Sequence, residues 1–371
     1  MLHDHPSPVA VALSGGGDSL ALTLITDAWA QEAGRGLLIL TVDHGLQAEG
    51  QAWVEACAEI AARLSRPFRS LHWAGEKPST GLPAAARRAR HALLADAARE
   101  AGARVILMGH TADDRREAAV MRAAGSTVPD PGEWAPSPAW PQGRGVFLLR
   151  PLLDVRRADL RAWLAARGET WIEDPANADP RYARSRARLT RTRSPGRASA
   201  APLALAAEAS EQSGVVIIAR DRLRTAAPQD VSRFVALACV CAGGGDRRPA
   251  GPRIARAAEA IAGPDRFVST LAGARIEADG ELVRIAREAG EAARGGLRPL
   301  DLPGGQEIVW DGRFAVTSQT AGLVVRPNRR GAPTIEWASG SGEGGTPPVA
   351  ITSLVGARLR AAAGLIAREP A

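Results

Sequence analysis

The chain has 371 residues, 45% apolar and 23% charged, ordinary figures for a globular protein of two or three domains. A formal net charge of +7 favours a polyanionic partner, nucleic acid above all. Three cysteines, Cys57, Cys239 and Cys241, exclude a disulfide framework and lack zinc spacing. With no basic leader and no apolar run of about 18 residues, a cytoplasmic protein that does not span a membrane is expected.

The first part of the chain alternates short apolar runs with helical patterns. Residues 9–13 read as a buried strand, 19–30 as a helix and 37–42 as a second strand. Residues 50–64 place Trp53, Cys57, Ile60, Ala61 and Leu64 on one helical face. A third strand is expected at 68–73, a helix at 83–101 with Pro83 in its first turn, a fourth strand at 104–108 and a helix at 111–124. This alternation predicts an α/β fold, a doubly wound parallel sheet with helices on both faces. Residues 125–145, rich in Pro and Gly, read as a long loop, and 155–167 return to a helical pattern. Seven arginines and no acid lie between 181 and 197, followed by a linker at 195–202. Ala-rich helical segments are expected over 203–294, short strands over 297–327 with "VWDGRFAV" the clearest, and a flexible connector at 338–348. The expected domains are therefore 1–194, a helical 203–294 and a small β-containing 297–371.

Ser14-Gly15-Gly16-Gly17-Asp18-Ser19 stands between a strand and a helix. Glycines let the backbone approach a phosphate, and the free N–H groups at a helix start point at it. Asp18 would repel a bare phosphate, so a Mg²⁺ ion between them is expected. A capped β-α turn is the plainer alternative. There is no Walker lysine and no dinucleotide-type glycine spacing. Asp43-His44 follows the second strand, and His110, Asp113 and Asp114 follow the fourth. In an open parallel sheet these loops share one edge. His110 suits acid–base work, and the two acids suit a metal or a nucleophile. Thr111-x-x-Asp114 also fits a capping box. Arginines fit phosphate contacts, so the 181–197 run could track an RNA backbone or be a solvated face. All but one of the 47 basic residues are arginine, Lys77 being the exception, and genomic drift explains that as well as function does.

"SGGGDS" matches the signature of the PP-loop ATP pyrophosphatases. "VDHGL", "ARRARH", "GHTADDRREAAVMR", "LLRPLL" and "WIEDPANADPRYARSRAR" follow in the order and spacing of the tRNA(Ile)-lysidine synthetases, which residues 9–194 resemble. The resemblance implies that ATP adenylates the C2 oxygen of the wobble cytidine in a tRNA(Ile) with a CAU anticodon, and that free L-lysine then displaces AMP. It puts ATP phosphates and Mg²⁺ at Ser14 to Ser19, the nucleotide near Asp43 and His44, catalytic roles on Asp18, His110, Asp113 and Asp114, and ATP or tRNA contacts on Arg181, Tyr182, Arg184 and Arg188. Gln47, His91, Arg115, Ala118 and Ser185 depart from the family pattern. Relatives of this fold are often dimers, so a homodimer is among the expectations. A PP-loop tRNA thiolase and a non-catalytic RNA-binding relative are the rival readings. The first needs a reactive cysteine, for which Cys239-Val240-Cys241 has the wrong spacing. The second would not need the intact "SGGGDS" and "GHTADD" segments.

Overall fold

The computed structural model describes the chain apart from residues 4, 127, 129–130, 133, 136–145, 175–182, 191–200, 246–247, 339–347, 367–368 and 370–371. The backbone forms two compact units, one from the described residues before 200 together with Glu369, the other from residues 201–366.

In the first unit, β1 (Val9–Ala12) leads into α1 (Gly17–Glu32), β2 (Leu37–Asp43) into α2 (Gly50–Arg63) and β3 (Phe68–His72) into α3 (Leu82–Glu100). Next come β4 (Val105–Met108), α4 (Ala112–Ala123), β5 (Trp134–Ala135), β6 (Phe147–Leu149), α5 (Arg157–Ala165) and α6 (Ala183–Leu189). The sheet order is β3-β2-β1-β4-β6-β5, parallel throughout except for the antiparallel edge strand β5. Val9, Ala10 and Val11 of β1 and all of β4 are buried, the continuous apolar run that a strand covered on both faces requires. The four expected strands stand where the sequence puts them. The fifth parallel strand, Phe147–Leu149, was not anticipated; three residues before a proline-containing turn are too few to carry a period.

β2 and β3 lie on one side of β1, and β4 and β6 on the other. The winding therefore reverses between β1 and β4, and a crevice opens beyond their carboxyl ends. At the far side of this unit Glu369 returns to Arg35, which donates from Nη1 at 2.9 Å and from Nη2 at 3.0 Å. The pair is buried and fork-to-fork, the arrangement that best offsets desolvation. Burial pushes the Glu369 carboxyl up, but Arg35 and the Leu2 N–H outweigh it and hold the carboxyl below its ordinary range.

The second unit corrects the expectation of a helical 203–294. It does hold α7 (Ala204–Glu208), α8 (Arg220–Thr225), α9 (Pro228–Ala242) and α10 (Gly251–Ala262). It also holds β7 (Ser210–Gln212), β8 (Val215–Ala219), β9 (Phe267–Leu271), β10 (Ala274–Ala278) and β11 (Leu282–Arg287), joined antiparallel in the order β7-β8-β11-β10-β9. Alternating burial along β10 and β11 marks a sheet with one face on the core, formed by Phe234, Val235 and Ala238 of α9 with Ile276 and Ile285.

Beyond residue 297 the described residues form six strands: β12 (Leu300–Leu302), β13 (Gln306–Trp310), β14 (Phe314–Ser318), β15 (Leu323–Pro327), β16 (Pro333–Trp337) and β17 (Val349–Ser353). They form two three-stranded antiparallel sheets around Trp310, Phe314, Val316 and Val325. "VWDGRFAV" is the β13–β14 hairpin, with Asp311 and Gly312 both in the left-handed region. The final helix, α11 (Val355–Ala362), buries Val355 and Leu359 in the core of α9 rather than among these strands. Most of the expected 338–348 connector lies outside the described residues.

Candidate active site

The glycine turn is built for close approach. Gly16 caps α1, and the Ser19 hydroxyl donates to the Gly16 carbonyl at 2.9 Å while accepting from the Ser14 N–H at 3.1 Å. The two hydroxyls of Ser14 and Ser19 lie 3.0 Å apart. Gly15 has φ +79°, and its carbonyl accepts from the Ile172 N–H at 2.9 Å. A Cβ on Gly15 would stand 2.3 Å from Ile172 Cδ1. Gly17 opens the helix, and Asp18 stands in its first turn.

The β4 turn comes against this helix start. A Cβ on Gly109 would stand 3.0 Å from the backbone of Asp18 and from Ser19 Cα. Only a residue without one lets the two loops share a wall. Gly109→Ala should push the α1 terminus aside by a few tenths of an ångström. The expected result is a roughly tenfold loss in kcat/KM for ATP, since misplacement of about 1 Å can cost about a hundredfold. A fall in kcat/KM with an unchanged circular dichroism spectrum would show it.

These loops line a cleft of about 450 Å³, an ordinary size for a small-molecule site. Ser14, Gly16, Gly17, Asp18 and Ser19 line it, as do Asp43, His44, His110 and Asp114. Gly15 supports the turn from behind. Asp43 Oδ1 accepts from the Gly45 N–H at 2.8 Å, and its Oδ2 stands 3.1 Å from His72 Nδ1. The Gly45 hydrogen bond, with His72, holds the Asp43 carboxyl below its ordinary range despite some burial. Burial, with the charge of Arg90, pushes the His44 imidazole below its ordinary value, and its Nδ1 is buried with no hydrogen-bond partner among the described residues. The His110 imidazole is pushed well below its ordinary value, first by burial and then by Arg150, Arg87, Arg90 and Arg184, and its Nδ1 too has no hydrogen-bond partner among the described residues.

Asp113 departs from the expected set. It does not line the cleft; its Oδ2 accepts from the Arg157 N–H at 2.8 Å and so caps α5. Its short side chain points from the first turn of α4 to the neighbouring helix start, a capping position. Asp114 forms the capping box with Thr111, accepting at Oδ2 from the Thr111 N–H at 2.6 Å and from its hydroxyl at 3.1 Å. The plainer reading of the T-x-x-D pattern is thus correct for one oxygen. The other, Oδ1, faces Arg157 at 3.0 Å and accepts from Arg184.

Arg157 is the residue that sequence reasoning missed. It donates to Asp18 Oδ2 at 2.8 Å, to Asp114 Oδ1 at 3.0 Å and to Glu117 Oε1 at 3.1 Å. Glu117, 1% exposed, also accepts from Arg184 Nε at 2.7 Å and from Arg188 Nε at 3.0 Å. Arg184 and Arg188 are thus anchored to acids of α4. Arg181 and Tyr182 lie outside the described residues. One signal for Arg157 was present: a basic side chain in a first helical turn opposes the helix dipole and needs acids nearby.

Burial raises the Asp18 carboxyl above its ordinary value, an effect that Arg157 only partly offsets. Its Oδ1 is buried with no hydrogen-bond partner among the described residues. That open oxygen fits a hard cation such as Mg²⁺. Among the described residues no three His, Cys, Asp or Glu side chains converge, so such an ion would take its other ligands from phosphates and water. The departures from the family pattern are accommodated. Gln47 donates to Asp174 at 3.2 Å and Arg115 to Asp154 at 3.0 Å. Ala118 and Ser185 are buried, and burial pushes the His91 imidazole down to about 2.

A strand, an S-G-G-G-D-S turn and a helix at the switch point of a parallel sheet define a PP-loop nucleotide-binding domain, and residues 2–192 match the family model described as "PP-loop domain". The chain is 50% identical over 320 residues to the tRNA(Ile)-lysidine synthase of Caulobacter vibrioides, covering 86% of this chain and 76% of that one. It is 31% identical over 353 residues to that of Rhizobium meliloti (88% and 76%) and 44% identical over 186 residues to that of Hyphomonas neptunium (49% and 50%). The chain belongs to the tRNA(Ile)-lysidine synthase family.

Proposed function

We infer that this chain is an ATP-dependent ligase that attaches lysine to the wobble cytidine of tRNA(Ile) with a CAU anticodon. The C2 oxygen of the cytidine attacks the α-phosphorus of ATP, forming an O–P bond and releasing pyrophosphate. The amine of free L-lysine then attacks C2, forming the C–N bond, losing a proton and expelling AMP with the former C2 oxygen. The observation that carries this reading is the meeting of the Ser14–Ser19 turn with the His110 turn at one switch point.

In this reading the N–H groups at the start of α1 and the Ser14 and Ser19 hydroxyls hold the ATP phosphates. Asp18 Oδ1 would hold a Mg²⁺ ion, which when bound would neutralise phosphate charge. Asp43 and His44 bound the nucleotide end. His110, neutral and with an open Nδ1, exchanges the proton at the reacting centre. Asp114 is a positioning residue, since both its oxygens are engaged. Arg184, with 46% of its side chain exposed, brings positive charge to the cleft mouth for the tRNA, and Arg181 and Arg188 are assigned with it. The second unit is assigned to the body of the tRNA. A homodimer and a cytoplasmic location belong to the same reading; light scattering and cell fractionation test them. No described helix is long and apolar enough to cross a membrane.

Thiolase chemistry is disfavoured by the thiols themselves. Cys57, Cys239 and Cys241 are all buried, and burial pushes Cys239 up to about 12, far from a reactive thiolate. The decisive experiment supplies ATP, Mg²⁺, labelled lysine and tRNA(Ile) with CAU, against the same tRNA with uridine at the wobble position. Cytidine-dependent label in RNA is expected. Pyrophosphate release without label would mean a different nucleophile, and neither product would favour a non-catalytic RNA-binding role.

A further inference from the structure

The glycine turn carries a choice that its own residues do not settle. Gly15, at φ +79°, and Gly16 flank one peptide. Glycine takes either sign of φ at little cost, so this peptide could face either way. The carbonyl and the N–H of a trans peptide point in opposite directions. In one orientation the Gly16 N–H is offered to an anion. In the other, the Gly15 carbonyl turns its negative end there. The orientation is fixed from outside the turn, by Trp171-Ile172. The Ile172 N–H donates to the Gly15 carbonyl at 2.9 Å. A Cβ on Gly15 would meet Ile172 Cδ1 at 2.3 Å and Cys57 Sγ at 3.5 Å, and a Cβ on Gly17 would stand 3.4 Å from the Trp171 ring. One short segment thus closes on both ends of the glycine run. It is held in turn by its neighbours. The Trp171 indole N–H donates to Glu173 Oε1 at 2.8 Å, and Arg161 of α5 pairs with the same oxygen at 2.9 Å. Gln47, beyond β2, donates to Asp174 at 3.2 Å. The Glu173 and Arg161 side chains are 60% and 42% exposed, and ion pairs so exposed contribute little to stability. What they do secure is the place of the indole on Gly17.

We propose that Trp171 and Ile172 are positioning residues that lock the Gly15–Gly16 peptide with its carbonyl toward Ile172 and its N–H toward the phosphates. This rests on the reading of the Ser14–Ser19 turn as the ATP phosphate site and says what sets that turn beforehand. A donor already aimed costs no reorganisation when the ligand arrives, which is where fixed dipoles gain over water. Trp171 is no surface for a nucleobase: its ring is engaged by Gly17 and lies 5.7 Å from the Arg161 guanidinium, and it does not line the cleft. It acts through the glycines. The turn needs such a lock because the feature that admits a phosphate, the absence of side chains, also leaves the backbone free to turn its carbonyls inward.

The test measures binding of ATP and of adenosine to the full chain with Mg²⁺, in the absence of tRNA and lysine. The wild type is expected to prefer ATP. Trp171→Ala is expected to cut the ATP-to-adenosine affinity ratio about tenfold, and Trp171→Phe, which keeps a ring on Gly17, to restore most of it. An ester in place of the amide between Trp171 and Ile172 deletes the N–H and keeps both side chains. It is expected to cut the ratio about 10- to 100-fold, the usual weight of a hydrogen bond to a charged group. Adenosine affinity should hold in every variant, which a general loss of folding would not allow. An unchanged ratio in the ester variant, or equal losses for ATP and adenosine, would overturn the proposal and leave the segment as packing. A wild type that binds ATP no better than adenosine would instead remove the phosphate reading of the turn itself.

Discussion

Asp18→Asn is expected to lower pyrophosphate release about a thousandfold or more while leaving the protein as stable as the wild type, or more so. Asp18 stands in the first turn of α1, where its Oδ1 is buried without a partner among the described residues and its Oδ2 takes Arg157 at 2.8 Å. Burial raises its pKa, so the ionised form is held at a cost. The sign follows directly. A carboxyl whose folded pKa lies above its unfolded value favours the folded state when protonated and weakens it once ionised, so the neutral amide removes a penalty at neutral pH. Asn keeps an oxygen for Arg157 but cannot supply the negative charge a divalent cation needs. Loss of a preorganised electrostatic contact costs about 100- to 1000-fold, and loss of a metal ligand adds to it. Activity and stability should therefore move in opposite directions, as they do where a group is kept for function against the interest of the fold. Pyrophosphate assays beside thermal melts decide it. Normal release would remove Asp18 from the metal role, and a large fall in melting temperature would make it a structural residue.

What the sequence made legible was local and contiguous. "SGGGDS" carries its own geometry, because three glycines between a strand and a helix leave few alternatives. Of the four strands expected in the first unit, β1, β2 and β4 were visible because each is a buried apolar run ended by a turn, whereas β3 is largely exposed and carries only Phe68 and Leu71 as apolar residues. The charge network was not legible, because its members lie far apart in the chain: Asp18, Asp114, Glu117, Arg157 and Arg184 meet only after the sheet is wound. Asp113 and Asp114 show the same limit from the other side. Adjacent acids looked equivalent in sequence, yet neighbours on a helix point about 100° apart, so one caps α5 and the other enters the cleft. In the second unit alanine-rich segments masked the strands between them, since β8–β11 alternate burial over only five or six residues.

Glu117→Ala is expected to cost about 3 kcal/mol in stability and to lower activity beyond what that loss explains. Glu117 is 1% exposed and shares its two oxygens among Arg157, Arg184 and Arg188. Arg157 and Arg188 are largely covered, so removing the acid takes a buried carboxylate from both and leaves Arg157 to Asp18 and Asp114. Arg184 is half exposed and water screens part of its loss, which keeps the estimate at the lower end for a broken buried network. Local consequences should follow the same contacts. α6 docks on α4 through these pairs, so freeing them should loosen α6 first and withdraw Arg184 and Arg188 from the cleft. Hydrogen exchange over Ala183–Leu189 should rise before that of β1 or β4. Glu117→Gln, which keeps acceptor and shape but not charge, should recover part of the stability and little of the activity. If Glu117→Ala melts with the wild type and α6 keeps its protection, the network contributes nothing to holding the arginines in place, and their position must come from the packing of α6 alone.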